Sequence, residues 1–250
     1  MASTGPSSLA TPPPAGPSGS APFRPALPVL LSALGGYVDT AGYLALQGLF
    51  TAHVTGNFVT LGATLVLGAT GALAKLMALP VFCAVVLAVR LAGSALMVKG
   101  RPALIPLLNA KLGLLVLAFA LAVWLGPFHN GDGWQALATG MILVSAMAIQ
   151  NAVHRIYLGA APPTTLMTGS TTQVMIDLAD LLRGEIQGRT ALVARLRHMS
   201  ANIGAFAVGC ACAALLYAQM NVWCFVVPPL LAATAIALAR GGQARRFSPK

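Results

Sequence analysis

Long apolar runs separated by short polar breaks make up almost the whole chain. About 20 predominantly apolar residues suffice to cross the hydrocarbon core of a bilayer. Six runs have roughly this length and character, and they are residues 28–50, 76–98, 104–125, 135–158, 201–217 and 222–239. The pattern therefore predicts six transmembrane helices.

Two further stretches are less suited to crossing a membrane. Residues 58–74 are apolar but rich in Gly and Thr, while residues 171–182 carry Asp177 and Asp180. We expect both stretches to form short or re-entrant helices that do not cross the bilayer. The alternative is that residues 58–74 also cross it, which gives seven spans.

The overall composition supports a membrane setting for the middle of the chain. Hydrophobic residues make up 57% of the 250 residues and charged residues only 8%, whereas a soluble domain carries about 25% charged residues. Mean hydropathy is +0.80. These values exclude a soluble globular protein and favour an all-α, polytopic helical bundle that has the lipid bilayer as its main partner.

The two ends of the chain differ from this middle part. Residues 1–25 are rich in Pro, Ala, Ser, Gly and Thr, and Arg24 is their only charged residue. Such a composition predicts a disordered tail, and it lacks the charged start and apolar core of a secretory signal. Residues 240–250 form a basic tail. Residues 26–239 are therefore expected to form a single transmembrane domain.

The distribution of charge predicts how the chain is oriented. Lys and Arg number 15 against 5 Asp and Glu. In the six-span arrangement, the 99–101 turn, Arg155 and the 183–198 loop fall on one side, and Lys75 falls on the other. Since cytoplasmic loops are enriched in Lys and Arg, we expect both termini to be cytoplasmic at a bacterial inner membrane. No aromatic-interleaved basic patch occurs, so nucleic-acid binding is not expected.

The first run carries a carboxylate near its centre, at Asp39. Helical spacing places Asp39 on one face with Gly35, Gly36, Gly42 and Tyr43. A carboxylate at the bilayer midplane costs about 2.5 to 3.5 kcal/mol on insertion scales, so it should face protein or water. We interpret the face as a surface on which another helix can approach closely, and Asp39 as a candidate proton- or cation-binding group.

A polar, glycine-containing break occurs twice in the chain. The first break, Thr51–Asn57, reads TAHVTGN, and the second break, Thr164–Ser170, reads TTLMTGS, 113 positions later. Each break follows a run with a polar patch and precedes two apolar runs. The shared order predicts an internal repeat with halves of about 27–126 and 134–239. With three spans in each half, the second half would be inverted relative to the first, as in many secondary transporters.

The two breaks also predict a binding site. Thr and Asn side chains cap the starts of helices, and the N–H groups at a helix start suit an anion or a substrate carboxylate. Gln150 and Asn151 either line the same cavity or bond to a neighbouring helix. The candidate substrate- or ion-binding residues are Asp39, Tyr43, His53, Thr55, Gly56, Asn57, Gln150, Asn151, Thr165, Thr168, Gly169 and Ser170.

Motifs for catalysis or for a cofactor are absent from the sequence. There is no HExxH, no GxSxG and no Walker-type glycine loop. The cysteines lie within apolar runs, where small buried side chains are expected rather than metal ligands. Lys111 lies within a run, and we expect its side chain to snorkel to the membrane interface. We therefore expect no enzyme activity, no cofactor and no metal.

Three segments together resemble the YoaK-like family of bacterial integral membrane proteins, a family whose domain has no known function. They read GGYVDTAGYLALQGLFTAHVTGN, AIQNAVHR and PPTTLMTGS. The resemblance extends over about residues 27–239 and implies a multi-spanning inner-membrane protein, without a substrate or an activity. Ser170 departs from the pattern, because the family more usually has Asn there.

The main hypothesis from the sequence is a small transporter or permease-like protein, coupled to protons or ions through Asp39. Its substrate would be a small molecule or an ion that the sequence does not identify. The alternative is a non-transporting assembly or regulatory protein of the membrane, in which the polar positions only hold helices together. The small size is compatible with a homodimer.

Overall fold

The structure is a computed structural model, and it is all-helical over the residues that it describes, 26–184 and 188–244 (side chains to 241). The predicted tail 1–25 lies outside these residues, and of the predicted tail 240–250 the first five residues continue the last helix while the others lie outside. The helices are α1 (Ala26–Ala45), α2 (Gly56–Leu67), α3 (Ala72–Val98), α4 (Leu104–Leu125), α5 (Trp134–Tyr157), α6 (Met167–Leu182), α7 (Arg189–Met220) and α8 (Val227–Ala244), with a 3₁₀ segment (Asn221–Val226) before α8.

Four stretches of the described chain are long and apolar enough to cross a membrane. They are Ala72–Val98, Leu104–Leu125, Trp134–Tyr157 and the continuous stretch Arg189–Gly241, which contains α7 and most of α8. The protein is therefore a multi-pass membrane protein. Helix α1 is not among them because Asp39 and several glycines make it less apolar. Of its 20 residues, 13 are buried.

The bounds of α4 agree with the prediction, and those of α3 and α5 differ from it by at most four residues. Helix α1 ends earlier than expected, at Ala45 instead of Phe50, because Gln47 and Gly48 have positive φ angles of 55° and 83°. A left-handed glycine is a common helix terminator. Helix α7 begins at Arg189, so most of the expected 183–198 loop is helical.

The first helix of each predicted half lies between the last two helices of the other half. Helix α1 packs against α7 and α8, while α5 packs against α3 and α4. The pairs α3–α4 and α7–α8 hardly touch each other directly, whereas α4 contacts α8. The core is therefore built from contacts between the two halves.

Hydrogen bonds at one end of the bundle set the directions of the helices. Lys75, in the first turn of α3, donates from Nζ to the Gln47 carbonyl oxygen after α1, at 2.7 Å. The Asp132 carboxylate, just before α5, accepts from the Gly71 N–H at the start of α3, at 2.9 Å. The end of α1 and the starts of α3 and α5 therefore meet at this end of the bundle.

Helices α1 and α7 approach each other backbone to backbone. A Cβ atom on Gly36 would overlap the Phe206 carbonyl oxygen, and a Cβ on Gly209 would overlap that of Ala33. This contact confirms the predicted role of the small face of α1, because only glycine allows two helix backbones so close together.

Helices α2 and α6 are short and lie beside the long helices. The 12 residues of α2 rise only about 18 Å at 1.5 Å per residue, against about 30 Å for a bilayer core. It packs on α3 and exposes Phe58, Val59 and Val66. Helix α6 packs on α7, where Arg195 forms two hydrogen bonds of 2.7 and 2.6 Å with the buried Asp177 carboxylate.

Candidate functional site

The carboxylate of Asp39 holds the first break against α1. Asp39 is only 4% exposed. Its Oδ1 accepts hydrogen bonds from the backbone N–H groups of Thr51 and Ala52, at 2.7 and 2.8 Å. Its Oδ2 lies 2.6 Å from Nδ1 of His53. These contacts explain why the chain turns back after α1, since the carboxylate satisfies two buried N–H groups of the irregular segment.

The arrangement restricts where a proton can reside. A backbone N–H only donates, so Oδ1 of Asp39 is not the atom that carries a proton. Oδ2 of Asp39 instead accepts from Nδ1 of His53, and a second proton on the imidazole would reside at Nε2. The Asp39–His53 pair consequently has a net charge of −1 when the imidazole is neutral and 0 when the imidazole is protonated. It can bind and release one proton without breaking the bonds to the break.

His53 connects three parts of the molecule. Its side chain is 34% exposed, in contrast to that of Asp39 at 6%. The ring lies edge-on to Phe206 of α7, with 5.4 Å between ring centroids, and it lies near the backbone of Thr165 in the second break. The two breaks therefore meet at this histidine.

The rest of the first break is closed by Asn57. Its side-chain Nδ2 donates to the Phe50 carbonyl oxygen at 2.8 Å, and its Oδ1 accepts from the Phe50 N–H at 2.9 Å. A buried amide that bonds to both backbone groups of one residue fixes the width of the loop. Phe50 and His53 are thereby held on the same side of α1.

A pocket of about 520 Å³ lies over the Asp39–His53 pair. Its wall is mostly apolar and aromatic, and it lies between α1, the first break, the start of α2 and α7. The lining residues are Asp39, Thr40, Tyr43, Leu44, Phe50, His53, Gly56, Phe206 and Cys210. This volume is within the range of ligand-binding pockets, about 300 to 1,000 Å³.

The second break is held by uncharged groups. Gln150 of α5 donates from Nε2 to the Leu31 carbonyl oxygen at 2.8 Å and to Thr164 Oγ1 at 3.3 Å. Asn151 accepts from Thr165 Oγ1 at 2.6 Å. The second break thus bonds back to the preceding helix, as the first break does, but through amides and hydroxyls.

Lys111 extends this second cluster, and the prediction that it snorkels is wrong. The side chain is 1% exposed, and its ammonium donates to Oε1 of Gln150. Lys111 points into the bundle because α4 packs against α5 and α8. Its Nζ therefore finds a hydrogen-bond acceptor on α5, Gln150, without reaching the membrane interface. Its position as the single charge within an apolar run was the signal in the sequence.

The predicted site residues separate into three groups. Asp39, Tyr43, His53 and Gly56 line the pocket, with Asn57 directly behind them. Gln150, Asn151 and Thr165 form the second cluster beside α1. The remaining four are Thr55, Thr168 and Gly169, which are exposed, and Ser170, which is buried and donates from Oγ to the Leu166 carbonyl oxygen.

The expected helix caps are not formed. Thr55 precedes α2 and Leu166 precedes α6, and neither helix start has a side-chain cap. At α2, the N–H groups of Gly56 and Asn57 already donate to the carbonyl oxygens of His53 and Val54. The tight turn into α2 therefore occupies the donors that an anion would need.

Sequence reasoning missed several residues that bond to Asp39 or line the pocket. Thr51 and Ala52 act through their backbone N–H groups, which have no sequence signature. Phe206 and Cys210 lie on α7, far along the chain. They stand in an apolar stretch, and nothing in the sequence sets them apart from the other residues of that helix. Among these residues, Phe50 could have been found from the sequence, because it directly precedes the first break.

The chain belongs to a family of proteins of unknown function, DUF1275, whose family model matches residues 27–238. The match includes both breaks and every residue of the pocket. No curated protein and no solved structure matches the chain. The protein is thus a membrane protein of a family without an assigned function, and its resemblance to YoaK-like proteins in particular stays a prediction.

Proposed function

We propose that the protein is a small transporter in which the Asp39–His53 pair binds the coupling proton or ion. The observation that carries this proposal is a buried carboxylate, bonded to a half-exposed histidine, at the base of a 520 Å³ pocket. Ionisable groups inside a membrane domain are costly and usually serve ion or substrate pathways.

Irregular backbone next to the pocket supports the same role. Non-helical backbone at membrane depth is tolerated only where protein buries it or where it lines a cavity. The first break lines the pocket through Phe50, His53 and Gly56, and the second break reaches His53 through Thr165. Substrate sites of many transporters lie between two such interrupted segments.

We propose further that the two halves are inverted repeats with six spans in total. Each half starts with a buried helix whose polar side chain binds the break that follows. His53 lies 14 positions after Asp39, and Thr165 lies 14 positions after Asn151. The repeat is supported by the packing of α1 and α5, each of which contacts the last two helices of the other half. The short length of α2 supports six spans over seven.

Cytoplasmic termini complete this proposal. Lys99, Arg101 and Arg155 lie at the ends of α3 and α5 opposite to the end that holds Lys75. By the positive-inside rule, the end with Lys99, Arg101 and Arg155 would face the cytoplasm at a bacterial inner membrane. A homodimer stays a prediction.

The second candidate is a non-transporting assembly or regulatory protein. It is favoured by the complete hydrogen bonding of Asp39, because three donors at 2.6 to 2.8 Å suit a carboxylate whose only task is to hold the break. In this case, Asp39 and Gln150 act only as connections between helices.

Substrate-driven proton movement into proteoliposomes separates the two candidates. Candidate compounds are added outside liposomes that contain a pH-sensitive dye, first with the wild type and then with Asp39→Asn. We expect compound-dependent proton movement that Asp39→Asn abolishes, while Asp180→Asn, which removes a carboxylate from α6, leaves it intact. A folded wild type that moves no proton with any compound would favour the assembly role.

The sidedness of the N-terminus tests the proposed repeat. A single cysteine is placed at Ser7 in a cysteine-free background, and intact cells are treated with a membrane-impermeant thiol reagent. We expect labelling only after permeabilisation. Labelling of intact cells would mean that residues 58–74 cross the bilayer, and the inverted arrangement would be lost.

A further inference from the structure

We infer that the pocket over the Asp39–His53 pair binds an amphipathic organic cation, in competition with a proton on His53. This inference rests on the proposed function and names the substrate class of the same site. It is carried by the chemistry of the pocket wall, by its volume and by the charge of the pair.

The wall of the pocket is a continuous row of rings. Tyr43 and Phe50 have ring centroids 4.9 Å apart, Phe50 and His53 are 6.5 Å apart, and His53 and Phe206 are 5.4 Å apart. The faces of Tyr and Phe rings carry negative electrostatic potential and attract cations, most strongly where water is excluded. The rings therefore suit the charged end and the apolar body of one ligand.

The charge of the pair selects the sign of the ligand. With neutral His53, the pocket has a net charge of −1 at Asp39, and there is no Lys or Arg among its lining residues. An anion is disfavoured both by this charge and by the occupied N–H groups at the start of α2. A neutral apolar ligand would gain nothing from a buried carboxylate.

The volume and the lining indicate an organic ligand instead of a metal ion. Hard metal ions take about six to eight oxygen ligands, whereas this wall provides one carboxylate, a few hydroxyl or backbone oxygens, and mostly carbon. A space of about 520 Å³ is also far larger than a bare ion. A cation with an apolar body fills the space and places its charge near Asp39.

Competition with a proton follows from the same geometry. When His53 takes a second proton, its own positive charge lies 2.6 Å from Asp39 and neutralises the pair. The other titratable groups on the pocket wall are Tyr43 from α1 and Cys210 from α7. Helix α2 and the second break contain none. Acidification through the range in which His53 titrates should therefore weaken cation binding.

Binding to the purified full-length protein in detergent tests the inference by titration calorimetry. The probe is benzyltrimethylammonium, and the comparators are benzyl alcohol and benzenesulfonate, which keep the ring and change the charge to neutral and negative. We expect the cation to bind at least about tenfold more tightly than either comparator. A preference of this size is expected when a cation gains one desolvated cation–π contact and the attraction of a nearby carboxylate.

Two variants and a pH change locate the binding. Phe206→Leu removes one ring and leaves the Asp39 bonds in place, and it should weaken the probe about three- to tenfold. Phe58→Leu, the same change on the exposed face of α2, should leave affinity unchanged. Lowering the pH from about 9 to about 5.5 should weaken binding to the wild type, and the range starts above that of an ordinary histidine because the carboxylate of Asp39 favours protonated His53.

Three results would overturn the inference. They are equal binding of benzenesulfonate or benzyl alcohol, an unchanged affinity in Phe206→Leu, and tighter binding at the lower pH. Because calorimetry needs no flux, the proposed function is tested separately. If the cation binds but is not transported into proteoliposomes, only the proposed transporter function is contradicted. If another solute is transported in an Asp39-dependent manner and the cation does not bind, only this inference is contradicted.

Discussion

The first break and the second break perform the same structural task with different chemistry. Each turns back on the helix before it and hydrogen-bonds to a buried polar side chain there. In the first break, that side chain is the carboxylate of Asp39, and its partners include the half-exposed His53. In the second break, that side chain is the neutral amide of Gln150, which bonds to Thr164, and the partly buried Asn151 beside it bonds to Thr165.

This difference indicates which break carries the chemistry. The side chains that bond directly to the second break are neutral amides and hydroxyls, and Lys111 reaches them only through Gln150. The carboxylate of the first break therefore does more than the fold requires, since it costs more to bury than an amide. The pocket also lies over the charged break. We interpret the second break as structural and the first as functional.

The largest expected effect tests this comparison directly. Asp39→Ala leaves the buried N–H groups of Thr51 and Ala52 without a partner, and it should lower the free energy of unfolding by about 3 to 5 kcal/mol. Asn151→Ala removes one hydrogen bond to Thr165 and should cost about 1 kcal/mol. Reversible unfolding in mixed micelles measures both, and equal losses would contradict the distinction between the breaks.

The crossings of the central helices provide a second contrast. At the α1–α7 crossing, Gly36 faces the backbone of Phe206, while at the α3–α5 crossing, Gly93 faces only the hydroxyl of Tyr157. Gly36→Ala should therefore destabilise the protein by about 2 to 3 kcal/mol, and Gly93→Ala by less, because a tyrosine side chain can move. The same unfolding assay distinguishes them.

A control for both glycines lies on α4. Gly113 has no atom within 4 Å of an added Cβ, so Gly113→Ala should be neutral or stabilise the helix by up to about 1 kcal/mol. A Gly36→Ala protein that is as stable as Gly113→Ala would show that α1 and α7 can separate without cost.

The short helices differ in how they respond to acid. Helix α6 is held to α7 by Asp177 and Arg195, whereas α2 has no charged residue. The hydrogen bonds from Arg195, and to a lesser extent from Gln173, lower the pKa of Asp177. The stabilisation is therefore present above the ordinary Asp value and is lost as the pH falls through the lowered pKa.

Asp177→Asn isolates this contribution. At about pH 7, the variant should be less stable than the wild type by at most about 1 kcal/mol, since Arg195 is half-exposed and water screens the pair. The difference between the two proteins should shrink on acidification toward about pH 3, below the ordinary Asp pKa. A thermal unfolding series across pH measures it, and a difference that grows with acid would reverse the assigned sign.

The smallest effect concerns the helix starts. An N-cap threonine normally contributes about 1 kcal/mol, but Thr55 makes no cap at α2 and Thr168 lies after the start of α6. Both are exposed. Thr55→Ala and Thr168→Ala should each change stability by less than about 0.5 kcal/mol. A loss of 1 kcal/mol in either variant would show that its hydroxyl caps the helix in the membrane.

Helices that face lipid could be predicted closely from the sequence. Helix α4 has the predicted bounds Leu104–Leu125 because its apolar run is long and ends at polar or helix-breaking residues. Only six of its 22 residues are buried against the rest of the protein, so hydropathy alone specifies it. Helix α1 was harder to predict, since its end depends on the turn at Gln47 and Gly48 and on the bonds that Asp39 makes with the first break.

The candidate site could be predicted only in part, for the same reason. Asp39 and His53 were recognisable as an acid and a histidine in or beside an apolar run. The contribution of Phe206 depends on the α1–α7 crossing, where two glycines let the backbones meet. Lys111 was assigned to the interface because its sequence context resembles that of a snorkelling lysine, and only the position of Gln150 places it inside.

By itself, the sequence determined the class of the protein, the approximate positions of its long helices and the presence of two polar, glycine-containing breaks. These properties depend on local hydropathy, chain length and residue type, which a linear pattern contains. The tertiary structure alone decided that α1 lies between α7 and α8, that Asp39 binds the first break, and that a ring from α7 closes the pocket. The contacts of α1 with α7 and α8, and of His53 with Phe206, join residues more than 150 positions apart. The bonds of Asp39 span only 12 to 14 positions, but like the others they depend on backbone approach and burial, which no local pattern specifies.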